Sequence, residues 1–162
     1  MPIDLLVVNA SPLITLFRSG LAEVLPALCP DIVVPNAVWQ EITEAGYEDA
    51  AAKGLGSVNW LQHLPSEPID PVVQAWDLGA GESAVLSHTY AQGEYRAVLD
   101  DAAARCCARA LNIHTLGTGG LLVVAKRAGV ILSVADALNE LKKSGLWISQ
   151  KIERLLLHEA GE

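Results

Sequence analysis

Four short aliphatic runs punctuate this chain: Leu5-Leu6-Val7-Val8, Ile32-Val33-Val34, Ala97-Val98-Leu99 and, more weakly, Ile113-His114-Thr115. The first three do not alternate with polar residues, so they suit strands covered on both faces rather than strands with one wet side. Helical patterns of about 10 to 15 residues separate them, the rhythm of βαβ units around a parallel sheet. The expected fold class is therefore α/β. With 162 residues, 51% of them apolar, the chain can bury one well-filled core and is not disordered.

Cap and stop signals place the helices. One should begin at Pro35-Asn36 and carry Val38, Trp39, Glu41 and Ile42; another should open at Gly81-Glu82-Ser83 and run to about Ala91. A third follows Asp101 and ends near Leu111-Asn112. Leu121 to Arg127 is apolar nearly all round, as a buried helix would be, and Gly129 stops it. Val134 to Ser144 reads as an amphipathic helix ended by Gly145, and Ser149 as the cap of a last helix over Gln150 to His158. Leu64 to Pro71, with three prolines, reads as a loop. Trp39 and Trp147 are expected to be core or subunit-interface anchors. No internal repeat or linker divides the chain, so residues 1–162 are expected to form one domain. Helices over about 133–160 would complete its core or an interface.

Composition narrows the function classes. No apolar stretch approaches the roughly 18 to 20 residues of a bilayer crossing, and no basic region precedes the apolar start, so neither a membrane span nor a signal peptide is expected. Three cysteines, Cys29, Cys106 and Cys107, form no CxxC pair, and a reducing cytoplasm is the natural compartment. The net charge of −8 opposes a nonspecific nucleic-acid coat. That average hides a split: residues 1–90 hold 11 acids and 2 bases, residues 91–162 hold 8 acids and 9 bases.

In an open parallel sheet, ligands gather beyond the carboxyl ends of the strands. The sequence puts Asn9 and Ser11 after the first strand and Asp100-Asp101 after Ala97-Val98-Leu99. Glu41 lies on the helix after the second strand, and Glu82 at the start of a helix. Acids drawn from separate points of a chain, each beside apolar residues, are what Mg²⁺ or Mn²⁺ needs, because hard cations take oxygen ligands and offset the mutual repulsion of desolvated carboxylates. Each acid also has a plainer role. Glu82 favours its helix dipole, Asp101 suits an N-cap and could pair with Arg105, and Glu41 could simply face solvent.

The ordered set of motifs resembles a family. VVNASPLITL, VPNAVWQEI, LGAGESAVL, VLDDAAARCCARALNIHTLGTGGLLVVAKRAGVI and LNELKKSGLWISQKIERLLLHEAGE together resemble a PIN-domain protein. More narrowly, they resemble the prokaryotic, VapC-like branch with GE, DD-x-x-x-R and G-T-x-G-x-L motifs. The resemblance implies a three-layer α/β/α sandwich with a central parallel sheet of about five strands. It also implies a Mg²⁺- or Mn²⁺-dependent ribonuclease, the toxin of a type II toxin–antitoxin pair, with RNA as substrate, a cognate antitoxin as partner and a homodimer as assembly. The family's first acid falls on Asn9, the small hydroxyl on Ser11, and the later acids on Glu41, Glu82 and Asp101 or its neighbour Asp100. These residues would ligate metal directly or through water, while Ser11, Arg105 and Thr118 would contact substrate. Asn9 departs from the aspartate of most active PIN nucleases: an amide oxygen can ligate Mg²⁺ but brings no charge. A catalytically weak PIN-fold binding protein is accordingly the alternative.

Two other classes fit poorly. The glycines of Gly79-Ala80-Gly81 and Gly117-Thr118-Gly119-Gly120 do not open the first βα turn as a dinucleotide fingerprint does, and there is no GxxxxGK[ST] loop. No GxSxG elbow accompanies Ser11, Ser83 or Ser87, and His63, His88, His114 and His158 show no triad or metal spacing.

Overall fold

The computed structural model describes residues 3–44, 46 and 49–162. Its centre is a five-stranded, all-parallel sheet of β1 (Leu5–Val8), β2 (Asp31–Val34), β3 (Leu61–His63), β4 (Arg96–Val98) and β5 (Thr115–Leu116), in the order β3-β2-β1-β4-β5. Helices cover both faces, giving the α/β/α sandwich expected. In chain order they are α1 (Ala10–Ser19), α2 (Val24–Leu28), α3 (Asn36–Glu44), α4 (Ala50–Ser57), α5 (Pro71–Gln74), α6 (Ala80–Ala91), α7 (Ala102–Ala110), α8 (Thr118–Arg127), α9 (Val134–Lys143) and α10 (Gln150–Ala160).

β1 is the hinge of the topology. It pairs with β2 on one side, Leu6 opposite Ile32, and with β4 on the other, Val8 opposite Val98. The chain thus runs outward through β2 and β3, then returns across the sheet to β4, so strand order reverses between β1 and β4. Leu6, Val7, Val8, Val33, Val34, Ala97 and Val98 are almost wholly buried, which is why these runs lack polar alternation. Strand β3 breaks that pattern: Gln62 and His63 are exposed at the sheet edge, and a Leu-Gln-His triplet carries no apolar run to announce it. The fourth run is displaced, β5 occupying Thr115–Leu116 rather than Ile113–Thr115.

Local signals fix the helices. Asp49, Asp70, Asp101, Ser133 and Ser149 each accept a backbone N–H at a helix start. Gly129 and Gly145 have positive φ beyond α8 and α9, which explains the stops at both. Leu121, Leu122 and Val123 of α8 and Val134, Leu138 and Leu141 of α9 are buried in the same core as the sheet. Helix α10 docks on α8 with Leu156 seated directly over Gly119. The three cysteines are free thiols, and burial pushes those of Cys29 and Cys107 up. No helix among the described residues is long and apolar enough to cross a membrane.

Trp147 is not a core residue: it is 85% exposed. Trp39 is half-buried and stacks on His63, ring centroids 4.2 Å apart.

The contact of α1 with α4 is as close as backbones allow. The Phe17 ring packs directly on Gly54, where any Cβ would overlap three ring carbons, and the ring stacks on Trp60 with centroids 6.0 Å apart. Gly54→Ala should therefore lose about 1–3 kcal/mol to overpacking, outweighing the roughly 1 kcal/mol that alanine adds to helix propensity. In a Phe17→Leu background the same change should be neutral or stabilising, as a double-mutant cycle of urea midpoints would read.

Candidate active site

The strand reversal opens a crevice at the carboxyl ends of β1 and β4, the position where open α/β sheets bind ligands. Asn9 is the first residue past β1, and its backbone N–H donates to Val98 O at 3.1 Å. It occupies the N-cap position of α1 with extended backbone, yet its side chain caps nothing. Instead Nδ2 donates to Glu82 Oε1 at 3.2 Å. Chemistry fixes that amide orientation, since the reverse would set an oxygen against a carboxylate. The residue is only 2% exposed, and Oδ1 finds no donor among the described residues. A buried acceptor without a partner costs about 1–3 kcal/mol.

Two further carboxylates meet Asn9 at the start of α6. Glu82, in the first helical turn, folds back so that Oε2 lies 2.5 Å from where a Cβ on Gly79 would stand. A Cβ on Gly81 would meet Glu41 Oε2 at 2.8 Å and Asn9 Oδ1 at 3.1 Å. Glycine at 81 thus lets the Glu41 and Asn9 oxygens close on the backbone, with Val38 Cγ2 beside them, 3.5 Å from the same Cβ position. Glu41 reaches this point from α3, which packs against α6. The residue as a whole is exposed, but its carboxylate end abuts buried Gly81. Burial first, then the charges of Glu82 and Glu44, hold the Glu41 carboxyl above the usual range.

Asp100 stands at the rim beyond β4, with both carboxylate oxygens engaged. Oδ1 accepts the backbone N–H of Thr118 at 2.7 Å, and Oδ2 accepts the Thr118 hydroxyl at 2.5 Å. The acid therefore fills the anion site at the α8 N-terminus, and Thr118, wholly buried, is the clamp that holds it. Asp101 points elsewhere: Oδ1 accepts Ala104 N–H at 2.8 Å as the cap of α7. Arg105 makes no ion pair with Asp101, or with any described acid; its Nη1 lies beside Gly117, 2.9 Å from a Cβ position that Asp100 Oδ1 also flanks at 3.3 Å. Ser11 is exposed in the first turn of α1, and its carbonyl accepts the Thr15 hydroxyl.

Of the residues singled out from sequence, the fold thus gathers Asn9, Glu41 and Glu82 in one cluster, with Asp100, Thr118 and Arg105 at its edge. Gly79 and Gly81 escaped that reading, although their place immediately before Glu82 was a usable signal. A family model described as DUF3368, PIN domain, matches residues 5–162. This chain belongs to the PIN-domain family. The PIN domain is a nuclease-type fold; PIN domains generally bind divalent metals, and PIN-domain nucleases typically act on RNA. No curated protein matches the chain.

The cluster suits a hard cation in donor chemistry. It offers the Glu41 carboxylate and the orphaned Asn9 amide oxygen side by side at Gly81, with the Glu82 carboxylate hydrogen-bonded to the same Asn9. It is leaner than an acid-only site: among the described residues no three His, Cys, Asp or Glu side chains are grouped to hold a metal.

Two stability predictions follow from these contacts. A carboxyl held above its unfolded pKa destabilises the fold once ionised, so Glu41→Gln should raise the melting temperature in chelator at pH 8. That advantage should vanish as pH falls below about 4.5, where both states of the wild type are protonated. Thr118→Val should cost about 1–3 kcal/mol in denaturant titrations, because Asp100 loses one of its two donors.

Proposed function

We propose that this chain is a divalent-metal-dependent endoribonuclease, of the VapC-like branch, acting as the toxin of a type II toxin–antitoxin pair. The observation that carries the reading is the buried, unpartnered Oδ1 of Asn9 beside Glu41 Oε2 at Gly81. An unpaired acceptor next to ionisable carboxylates is unfavourable in the bare protein, and Mg²⁺ or Mn²⁺ would satisfy all three groups at once. Glu41, Glu82 and Asn9 would hold the ion, with Asp100 reaching it directly or through water.

When bound, such an ion supplies Lewis acidity toward a phosphodiester and lowers the pKa of water. The chain's own residues set the stage for that chemistry. Asn9 Nδ2 orients Glu82, so one carboxylate oxygen is fixed and the other stays available. Thr118 immobilises Asp100 at the end of β4, and the Arg105 guanidinium, with no ion pair among the described residues, stands ready for a phosphate. One unit spanning residues 1–162, a cytoplasmic location, a homodimer and a cognate antitoxin belong to the same reading.

The alternative, a PIN-fold binding protein with little catalysis, draws on two features. Asn9 adds no charge, and both oxygens of Asp100 are already engaged. Metal binding separates the two. By calorimetry the wild type should bind Mn²⁺ below millimolar concentration, and Glu82→Gln should lose most of that binding and the cleavage of single-stranded RNA. If the wild type binds no divalent ion at millimolar concentration, the nuclease reading fails. Gly81→Ala is a sharper probe: the fold should survive, because alanine is the better helix former, while Mn²⁺ affinity should fall at least about tenfold as the methyl displaces Glu41 from Asn9.

A further inference from the structure

We propose that the groove between the start of α8 and helix α10 is a nucleobase subsite, with Trp147 as its stacking platform and Arg105 as the contact for the adjoining phosphate. This rests on the ribonuclease reading and extends it to a part of the chain remote from the acids in sequence.

The groove has a volume of about 430 Å³, within the range of small-molecule sites. Leu116, Gly120 and the Leu156 side chain that covers Gly119 line the groove, together with Ile152 and Leu155 of α10. Trp147, on the segment between α9 and α10, lines it while remaining 85% exposed. Ile152 and Leu155 are also about half exposed, at 45% and 51%. At one end the groove reaches Asp100 and Arg105, just past the carboxyl end of β4, the strand that pairs with β1.

That position points to the occupant. A strand whose phosphate lay at the acid cluster would cross the neighbouring strand end toward a slot beginning at Asp100 and Arg105. A base supplies two apolar faces for Trp147 and the aliphatic wall, and its backbone supplies an anion for Arg105. An apolar protein helix fits less well, because Arg105, Asp100 and Glu159 all line the groove and such a helix would strip these charged groups of water while offering none of them a partner. The groove's own acids, Asp100 and Glu159, also disfavour an extended phosphate track and favour one base held at one point.

The test uses the full chain carrying Glu82→Gln, so that bound RNA is not cut, in low-salt buffer with chelator. Fluorescence anisotropy measures a labelled single-stranded RNA against an otherwise identical strand lacking bases. Trp147→Ala should weaken the base-bearing strand by about 5- to 150-fold, the range for one lost stack, and leave the abasic strand unchanged. Trp147→Phe should retain most of the affinity, and Arg105→Ala should weaken both strands. Equal binding of the two RNAs, or no effect of Trp147→Ala, overturns the subsite. So does a Trp147→Ala protein that changes only its sedimentation, since the groove would then be an interface between proteins. Cleavage by the wild type with Mn²⁺ is scored separately. Trp147-dependent binding without cleavage sinks the hydrolytic reading and leaves the subsite standing; cleavage without Trp147 dependence does the reverse.

Discussion

The hydrogen bond from Asn9 Nδ2 to Glu82 Oε1 ties the end of the central strand to the first turn of α6, and the crevice is organised around it. β1 is buried between β2 and β4, so whatever follows it arrives at the middle of the sheet edge with little freedom. A polar side chain there must find partners within the protein or bind something that enters. Asn9 finds one partner for its amide nitrogen and none for its oxygen. The bare backbone of Gly81 and the approach of Glu41 then give that oxygen a direction.

Much of the scaffold was legible because burial writes itself into aliphatic runs. Leu5–Val8 and Ile32–Val34 sit in the sheet interior and show it. The edge strand β3 was hidden, since an edge strand needs only backbone pairing on one side and tolerates Gln62 and His63. Helix α1 was hidden for another reason. It starts with Asn9 in the cap position, but the side chain is diverted to Glu82, and Pro12 two residues into the helix reads as a breaker unless the helix start is already known.

The site divides along similar lines. Asn9, Glu41 and Glu82 were legible as polar groups at element ends, and the fold brings them to one point. The adjacent pair Asp100-Asp101 could not be resolved from sequence, because each is a polar residue between a strand and a helix. Structure separates them by partner: Asp100 goes to the α8 N-terminus and Asp101 caps its own helix. Thr118 was expected to meet substrate, yet it is wholly buried against Asp100, a pairing across 18 residues that no local pattern encodes. Of the two roles expected for Trp147, core or subunit-interface anchor, its exposure removes the first, because position alone decides whether a large aromatic side chain has its faces covered within the chain.

An amide at position 9 also changes what the protein must tolerate before any ion arrives. A third carboxylate in that place would face Glu41 and Glu82 with no hydrogen to offer, and self-repulsion would strain the empty crevice against the fold. Asn9 replaces that repulsion with a donor to Glu82 and leaves only one neutral oxygen unsatisfied. For the cation proposed above, the chain would thereby give up electrostatic grip in exchange for a crevice that assembles without one. Under the proposed metal-dependent reading, folding and metal loading would be separable events, and such a protein could be synthesised and stored intact where divalent ions are scarce.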